Sequence, residues 1–155
     1  MKLIVASDSH YDRVMLMNLA QEIKRRGDID AVIHLGDMEG DADWLRKNLA
    51  QPVYGVPGNC DMNFTEPAER VLSLGGAAVF LCHGHTLRVK TTLEPLSYRA
   101  EERGACLALF GHTHVPCARN LGGVLLVNPG ALKDGRCALI TIHRGDVSMP
   151  EMLSL

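Results

Sequence analysis

The fold class follows from residues 2–37, which read KLIVASDSHYDRVMLMNLAQEIKRRGDIDAVIHLGD. The stretch begins and ends with short apolar runs, KLIVAS and AVIHLG, which are typical of strands covered on both faces. Between them, apolar residues recur at helical spacing from Val14 to Ile23, and Gly27 follows as a helix stop. A strand, a helix and a second strand with short connections predict parallel pairing in an α/β sheet.

The next part of the chain adds a strand, a brief helix and a hairpin. PVYGVPG (52–58) is predicted to form a third strand. Before it, Asp41 or Asp43 is expected to cap a brief helix over 44–49. RVLSLGGAAVFLC (70–82) contains two apolar runs joined by a double glycine, and this pattern predicts a β-hairpin.

The last third of the chain predicts a longer helix and further strands. An amphipathic helix is predicted over 93–103, with Gly104 as its stop. The apolar runs that predict strands are CLALFG (106–111), GGVLLVNPG (122–130) and CALITIHRGDVSM (137–149), the last with a turn at 144–146. The prediction is therefore an α/β chain whose second half is rich in antiparallel pairs.

Length and composition limit the class of protein. With 155 residues, the chain is expected to form a single domain over 1–155 that buries roughly 70% of its unfolded surface. No apolar run approaches the ~20 residues of a membrane helix, and the first residues do not resemble a secretory signal. A net charge of −2 argues against a general nucleic-acid binder, so duplex DNA is not an expected partner.

The cysteine and histidine content points to a reducing environment and a few buried polar side chains. Five cysteines, an odd number without CxxC spacing, argue against a disulfide framework and a zinc ribbon, so a cytoplasmic location is expected. Cys82 and Cys106 adjoin apolar runs and are expected in the core. His34 lies inside an apolar run and is interpreted as a packed histidine, whereas His143 is expected at the surface.

Five predicted strands are each followed by Asp, Asn or His, several of them just past a glycine. In an α/β sheet such strand ends gather along one edge, where sites form. Carboxylate or amide oxygens and neutral imidazoles are the ligands of divalent transition metals. Seven or eight of them are too many for one ion and suit two ions that share a carboxylate. The residues are Asp8, His10, Asp37, Asn59, His83, His85, His112 and His114.

These residues fall in five blocks that resemble the signature of the calcineurin-like metallophosphoesterases. The blocks are DSH (8–10), GD (36–37), GNCD (58–61), HGH (83–85) and GHTH (111–114). The short chain, the GNCD block and NPG (128–130) are most similar to the small YfcE-type phosphodiesterases. The resemblance covers about residues 2 to 142 and implies a four-layer α/β/β/α fold, in which two mixed β-sheets pack as a sandwich flanked by helices.

The resemblance also implies a ligand set for two divalent ions. One ion would be held by Asp8, His10 and His114, and Asp37 would bridge the two ions. The other ligands of the second ion would be Asn59, His83 and His112. Mn²⁺ is the expected metal, with Ni²⁺, Fe²⁺, Zn²⁺, Co²⁺ or Mg²⁺ as alternatives. His85 is expected to touch the phosphate or to orient a ligand.

The resemblance implies hydrolysis of a small phosphodiester, and two ions in this setting supply a mechanism consistent with it. Two divalent cations with the carboxylates of Asp8 and Asp37 leave a charge of about +2, which attracts phosphate. Such ions lower the pKa of bound water towards ~7, so a metal-bound hydroxide is expected to attack phosphorus in line. Asn59 can direct its amide N–H at the phosphate while its oxygen binds metal.

The general acid is left open by the sequence. Larger nuclease and phosphatase relatives carry a histidine directly after the motif asparagine, whereas this chain has Cys60. A thiol is a poorer acid partner near neutral pH than an imidazole, so diesters with good leaving groups are favoured unless His85 or Asp61 acts as the acid. After NPG the chain has Ala131, where serine is common in the family, and the effect of this change is open.

Other functions stay possible from the sequence. One is a phosphomonoesterase or nuclease of the same fold, and a second is a non-catalytic protein-binding scaffold, as some relatives of this fold are. Substrate recognition is expected from loops such as MEGDAD (38–43) and MNFTEP (62–67). The last strands leave a homo-oligomer possible. A metallohydrolase of another class is disfavoured because HExxH is missing, and P-loop chemistry because GxxxxGK[ST] is missing.

Overall fold

The computed structural model describes residues 1–62 and 64–155, so Asn63 of the expected substrate loop 62–67 lies outside the described residues. The helices are α1 (Arg13–Arg26), α2 (Glu39–Asn48) and α3 (Glu94–Glu102). The strands are β1 (Lys2–Ala6), β2 (Ala31–His34), β3 (Val53–Gly55), β4 (Glu69–Leu74), β5 (Ala77–Cys82), β6 (Leu107–Leu109), β7 (Cys117–Leu121), β8 (Val124–Asn128), β9 (Arg136–His143), β10 (Asp146–Val147) and β11 (Glu151–Ser154).

The strands form two mixed sheets. In the first sheet the order is β10-β9-β1-β2-β3, with β11 also paired to β9. Strands β1, β2 and β3 are parallel, as the alternation of strands and helices predicts, whereas β9 is antiparallel to β1. In the second sheet the order is β4-β5-β6-β8-β7, with the parallel strands β5, β6 and β8 between antiparallel edge strands.

The sheets pack face to face with helices on both outer sides, which confirms the predicted four-layer α/β/β/α sandwich. Leu3 and Val5 of β1 lie in the core between the sheets, together with residues of β5, β6 and β8. Ile4, between them in sequence, faces the opposite way and packs with residues of α1 and α2. A third apolar cluster joins α3 to the outer face of the second sheet. Successive side chains of a strand point to opposite faces, so a strand covered on both sides must be apolar throughout.

Helix α1 has the ends that its sequence favours. The side chain of Asp12 accepts a hydrogen bond from the Met15 N–H at 3.0 Å. At the other end Gly27 has φ 72°, and its N–H donates to the Ile23 carbonyl, so the predicted glycine stop is confirmed. These caps fix where the chain enters and leaves the helix that covers the first sheet.

Helix α2 begins earlier than predicted. It starts at Glu39, so the expected cap at Asp41 or Asp43 is wrong, and most of the expected loop 38–43 is helical. Asp41 is fully buried, and its side chain accepts a hydrogen bond from the Tyr11 backbone N–H at 3.0 Å. Its carboxylate is therefore used to hold the loop after β1 and is not available to cap a helix end.

Several expectations at the second sheet and the chain end need correction. Strands β7 and β11 were not predicted, and both β10 and β11 pair with β9 of the same chain. Cys82 is buried as expected, but Cys106 is exposed because it lies just before β6 begins. His34 is buried and His143 is exposed, as expected.

In the part of the chain that the structure describes, no helix combines the length and the apolar character needed to cross a membrane.

Candidate metal centre

All of the predicted site residues lie in the segments that follow the carboxyl ends of strands, and His85 begins a short 3-10 helix, His85–Leu87. Asp8, Asp37 and Asn59 follow β1, β2 and β3 of the first sheet. The remaining residues come from the second sheet: His83 and His85 follow β5, and His112 and His114 follow β6. The sandwich brings these ends together, and the site is built from both sheets.

The first group of side chains is Asp8, His10, Asp37 and His114. One ligand atom from each lies within 4.8 Å of the others, so they form a candidate metal site. Nε2 of His114 is 3.0 Å from Oδ1 of Asp8. Nε2 of His10 is 4.0 Å from the same oxygen and 3.8 Å from Oδ2 of Asp37. This nitrogen is buried without a hydrogen-bond partner among the described residues.

The second group surrounds His83. Its Nε2 is 3.1 Å from Oδ1 of Asn59 and 3.5 Å from Oδ1 of Asp37. The rings of His83 and His112 lie 5.1 Å apart between centroids. His85 is close to both rings, at 5.4 Å from His83 and 6.1 Å from His112. Asn59 is exposed, so this end of the site is open to solvent.

Asp37 lies between the two groups and presents one oxygen to each. Its Oδ1 faces His83 and also accepts the backbone N–H of Cys60 at 3.0 Å, while its Oδ2 faces His10. Burial pushes the pKa of Asp37 upward, but the N–H of Cys60 and the nearby histidines outweigh it, so the pKa lies below its ordinary value. Asp37 is therefore charged at neutral pH.

Hydrogen bonds with neighbouring backbone and side-chain groups orient Asp8 and His83. Oδ2 of Asp8 accepts the Ser7 hydroxyl at 2.6 Å and the His112 backbone N–H at 3.0 Å, which leaves Oδ1 facing the histidines. Nδ1 of His83 is 2.7 Å from the Leu35 carbonyl. A carbonyl only accepts, so Nδ1 carries the proton, and Nε2 of a neutral ring has its lone pair towards Asn59 and Asp37.

The electrostatics of the site call for a cation. Asp8 and Asp37 are 0% and 3% exposed, and among the described residues their ion pairs are only to histidines. For His112, burial, then His83 and Lys90, lower the pKa to about 4, so its imidazole is neutral at pH 7. Buried carboxylates without a lysine or arginine partner are costly unless a cation lies beside them. The nitrogen and oxygen donors fit divalent transition metals.

The backbone of the site is strained. In the described chain nine residues other than glycine have positive φ, and five of them are proposed ligands. Each such residue costs on the order of 1–3 kcal/mol and persists only where the surrounding structure enforces it. The five are Asp8 (55°), His10 (48°), Asp37 (54°), His112 (67°) and His114 (61°). Strain concentrated on these residues is typical of functional sites.

The candidates for the general acid differ in what their surroundings allow. Cys60 is an exposed residue. Partial burial of its thiol, together with the charge of Asp37, raises the thiol pKa, so the thiol stays protonated at neutral pH. Both carboxylate oxygens of Asp61 accept backbone N–H groups, from Met38 at 3.0 Å and from Gly58 at 2.7 Å. Burial, followed by His83, lowers the pKa of His85, so this ring is neutral at pH 7.

Sequence reasoning missed the groups that orient the ligands. The Ser7 hydroxyl on Asp8 could have been suspected from its position directly before the aspartate. The Leu35 carbonyl that fixes the His83 ring leaves no trace in the sequence, because every residue except proline offers the same backbone groups. The buried partners of the loop after β1, His34 and Asp41, were read as a packed residue and a helix cap.

Comparison with protein families and known proteins places the chain among phosphoesterases. The model of the calcineurin-like phosphoesterase superfamily domain matches residues 1–148. The protein named "Probable metallophosphoesterase YsnB" of Bacillus subtilis (strain 168) is 35% identical over 133 residues, covering 86% of this chain and 76% of its own length. Vacuolar protein sorting-associated protein 29 (Vps29) of Schizosaccharomyces pombe is 29% identical over 134 residues, with coverages of 84% and 72%.

Solved structures have the same architecture over nearly the full chain. A conserved protein of Streptococcus pneumoniae TIGR4, described as a predicted phosphoesterase, superposes with a TM-score of 0.76 at 28% identity and covers 99% of this chain and 97% of its own. A protein described as a novel archaeal phosphodiesterase gives 0.81 at 18% identity, with full coverage of both chains. Vps29 of Entamoeba histolytica, solved with Zn²⁺, gives 0.77 at 23% identity and 99% coverage of each chain. At their lower identities, the last two show the fold alone.

Proposed function

This chain belongs to the calcineurin-like phosphoesterase superfamily, and we propose that it is a single-domain enzyme over residues 1–155 that hydrolyses small phosphodiesters with two divalent metal ions. One observation carries the proposal: two buried carboxylates, Asp8 and Asp37, face histidine nitrogens, with no lysine or arginine among their described ion-pair partners. All five cysteines are free thiols, which fits the reducing cytoplasm in which we propose that it acts.

The two groups of donors support two ions. Asp8, His10 and His114 would hold the first ion, and Asp37 would bridge, since its two oxygens face different histidines. The second ion would be held by Asn59, His83 and His112, together with Asp37. Imidazole, carboxylate and amide ligands suit Mn²⁺, our first choice, and also Fe²⁺, Co²⁺, Ni²⁺ and Zn²⁺, while Mg²⁺ would depend mainly on the oxygens.

The residues of the chain have distinct parts in the proposed reaction. Divalent ions at such a site lower the pKa of bound water and neutralise charge on the phosphoryl oxygens. The exposed amide of Asn59, whose Nδ2–H points to Cys60 Sγ at 3.5 Å, can turn towards a phosphate oxygen. His85, neutral at pH 7, can donate a hydrogen bond from its ring N–H to the phosphate but is a weak proton source.

The leaving group and the rim of the site favour diesters with a good, apolar leaving group. The protonated thiol of Cys60 has a raised pKa, so it transfers a proton less readily than a histidinium would. Large apolar side chains remain exposed within five positions of proposed site residues in sequence. They are Tyr11 (61%), Met62 (91%), Phe64 (51%) and Val115 (63%). Such side chains can contact an organic group on the phosphate, which a diester has on both sides. The archaeal structure with this fold is itself described as a phosphodiesterase.

A protein-binding role is the second candidate, favoured by the similarity to Vps29, a protein whose name assigns it to protein sorting. A scaffold needs no catalytic ligands, whereas all seven ligand positions here are occupied by metal-binding residue types. The Vps29 structure with Zn²⁺ indicates that metal binding by itself does not separate the two functions. Turnover is therefore the deciding measurement.

The test combines metal content with turnover. We expect about two Mn²⁺ per chain, hydrolysis of bis(4-nitrophenyl) phosphate faster than of 4-nitrophenyl phosphate, and loss of activity with a chelator that added Mn²⁺ reverses. Asp37→Ala should remove both activity and metal, because it deletes the bridge. His114→Ala should weaken one metal, and His143→Ala, an exposed histidine at the other end of the sandwich, is its matched control. Metal binding without any phosphoester hydrolysis would favour the scaffold.

A further inference from the structure

The turn after β1 is the most strained part of the metal centre. Asp8, His10 and Tyr11 have φ values of 55°, 48° and 62°, which side chains other than glycine rarely adopt. Three such residues within four positions cost several kcal/mol at about 1–3 kcal/mol each, so neighbouring contacts must hold the turn in place. Two of these three residues flank Ser9.

Ser9 is held from below by a buried histidine. Both Ser9 and His34 are 0% exposed, and Oγ of Ser9 lies 2.9 Å from Nε2 of His34 at the end of β2. The carbonyl of Ser9 also accepts the Asp12 N–H at 2.9 Å, so the residue ties the turn to the start of α1. The serine hydroxyl is thus the point where the strained turn is attached to the second strand of the sheet.

A buried aspartate of α2 holds the other end of the turn. Oδ2 of Asp41 accepts the Tyr11 N–H at 3.0 Å, and Asp41 is 0% exposed. Oδ1 of Asp41 and Nδ1 of His34 are buried without a hydrogen-bond partner among the described residues. Burial lowers the pKa of His34, and Asp41 is the nearby charge that opposes this shift most. Ser9, His34 and Asp41 therefore form one buried polar group, hereafter the Ser9 cluster.

Packing alone does not explain the Ser9 cluster. A buried polar atom without a partner costs on the order of 1–3 kcal/mol, and apolar side chains would fill this space more cheaply. Oδ1 of Asp41 and Nδ1 of His34 have no hydrogen-bond partner among the described residues, while Oδ2 of Asp41 and Nε2 of His34 bond to residues of the strained turn. This arrangement is expected of groups that are kept for positioning neighbouring ligands.

We propose that His34 and Asp41 are positioning residues, which hold residues 9–11 so that Asp8 and His10 keep their carboxylate and imidazole directed at the same ion. The proposal rests on the proposed metal-dependent function. Neither residue touches the ion or the substrate; both act through the turn. Removing the contact to Ser9 should therefore weaken metal binding although every ligand is still present.

The test compares serine variants that each lose one buried hydroxyl. Ser9→Ala removes the contact to His34. Ser97→Ala is the matched control, because Ser97 is 2% exposed and donates to the Leu121 carbonyl at 2.8 Å in the α3 layer. Mn²⁺ binding to metal-free protein is measured by calorimetry, and thermal unfolding is measured without metal. His34→Phe fills the histidine space without hydrogen bonds, and His34→Gln restores a hydrogen-bonding group.

We expect Ser9→Ala and His34→Phe to raise the Kd for Mn²⁺ by roughly 10- to 100-fold, a common effect of removing a group that orients a ligand. His34→Gln should recover part of the affinity, and Ser97→Ala should bind as the wild type does, although both serine variants unfold at a lower temperature. Wild-type affinity in Ser9→Ala, or an equal loss in Ser97→Ala, would overturn the inference. Failure of the wild type to bind Mn²⁺ at all would overturn the proposed function as well.

Discussion

Replacing Gly58 by alanine should disable the metal centre without removing any ligand. Gly58 precedes Asn59, and a Cβ built on it would meet Oδ1 and the backbone N of Asp37 first, both closer than Cγ of Asp37 at 2.9 Å. Carbon atoms pack at about 3.5–4.0 Å, so the contact must lengthen by about 0.6–1.1 Å. Metal–ligand bonds vary by only about 0.2 Å, so the carboxylate that we propose as the bridge would be moved well beyond what coordination tolerates.

We expect Gly58→Ala to raise the Kd for Mn²⁺ at least tenfold and to lower the free energy of unfolding by about 1–3 kcal/mol, as overpacking usually does. Calorimetric titration with Mn²⁺ and urea unfolding measure the two effects. Gly40→Ala is the control: its Cβ would meet nothing closer than 4.0 Å, and alanine in helix α2 should stabilise by about 0.5–1 kcal/mol. Wild-type Mn²⁺ affinity in Gly58→Ala would refute the role assigned to Asp37.

Three further variants test separate parts of the structure. His85→Ala should lower turnover of bis(4-nitrophenyl) phosphate roughly 10- to 100-fold with metal content kept, and loss of both ions would identify His85 as a ligand. Asp12→Ala should lower the free energy of urea unfolding by about 1 kcal/mol, because the Met15 N–H loses its cap, with Mn²⁺ binding unchanged. Hydrogen bonds from Arg25 and Arg26 lower the pKa of Glu22 from 4.5 to about 2 in the folded protein. The charged Glu22 carboxylate therefore stabilises the folded state fully above pH 4.5, and this contribution disappears as the pH falls through about 2. The wild type should exceed Glu22→Gln in free energy of unfolding by about 0.5 kcal/mol, because Glu22 is partly exposed. When unfolding is measured against pH, this difference should decrease across that range and should not decrease towards alkaline pH.

The elements that the sequence predicts well are those whose two faces are both covered. β1, β2 and β5 stand out because continuous apolar runs end at glycines or polar residues. β7 reads CARNL and β11 reads EMLS, with polar residues on partly exposed edges, so neither differs from a loop in composition. An edge strand forms only by pairing with a neighbouring strand, and the sequence does not show which strand that is.

The residues of the candidate site could be predicted from the sequence, but the groups that orient them could not. Ligand residue types after several strand ends indicate a shared centre, because parallel strands must align their carboxyl ends. Asp41 shows the limit: three positions into α2, it reads as a helix cap, yet it bonds to Tyr11 of another loop. Local propensity favours aspartate near helix starts, and only the tertiary fold decides which N–H it meets.

The candidate metal centre also connects the two sheets of the sandwich. Asp8 comes from the first sheet and is oriented by the backbone N–H of His112 from the second, while His83 from the second sheet is oriented by the Leu35 carbonyl of the first. Each sheet therefore orients a proposed ligand of the other, and the donors converge only when the sandwich core between the sheets is packed. It follows that metal binding must stabilise the packed sandwich by the same free energy with which packing favours metal binding. Loosening the core far from the site should for this reason weaken metal affinity, even when every ligand and every buried support is retained.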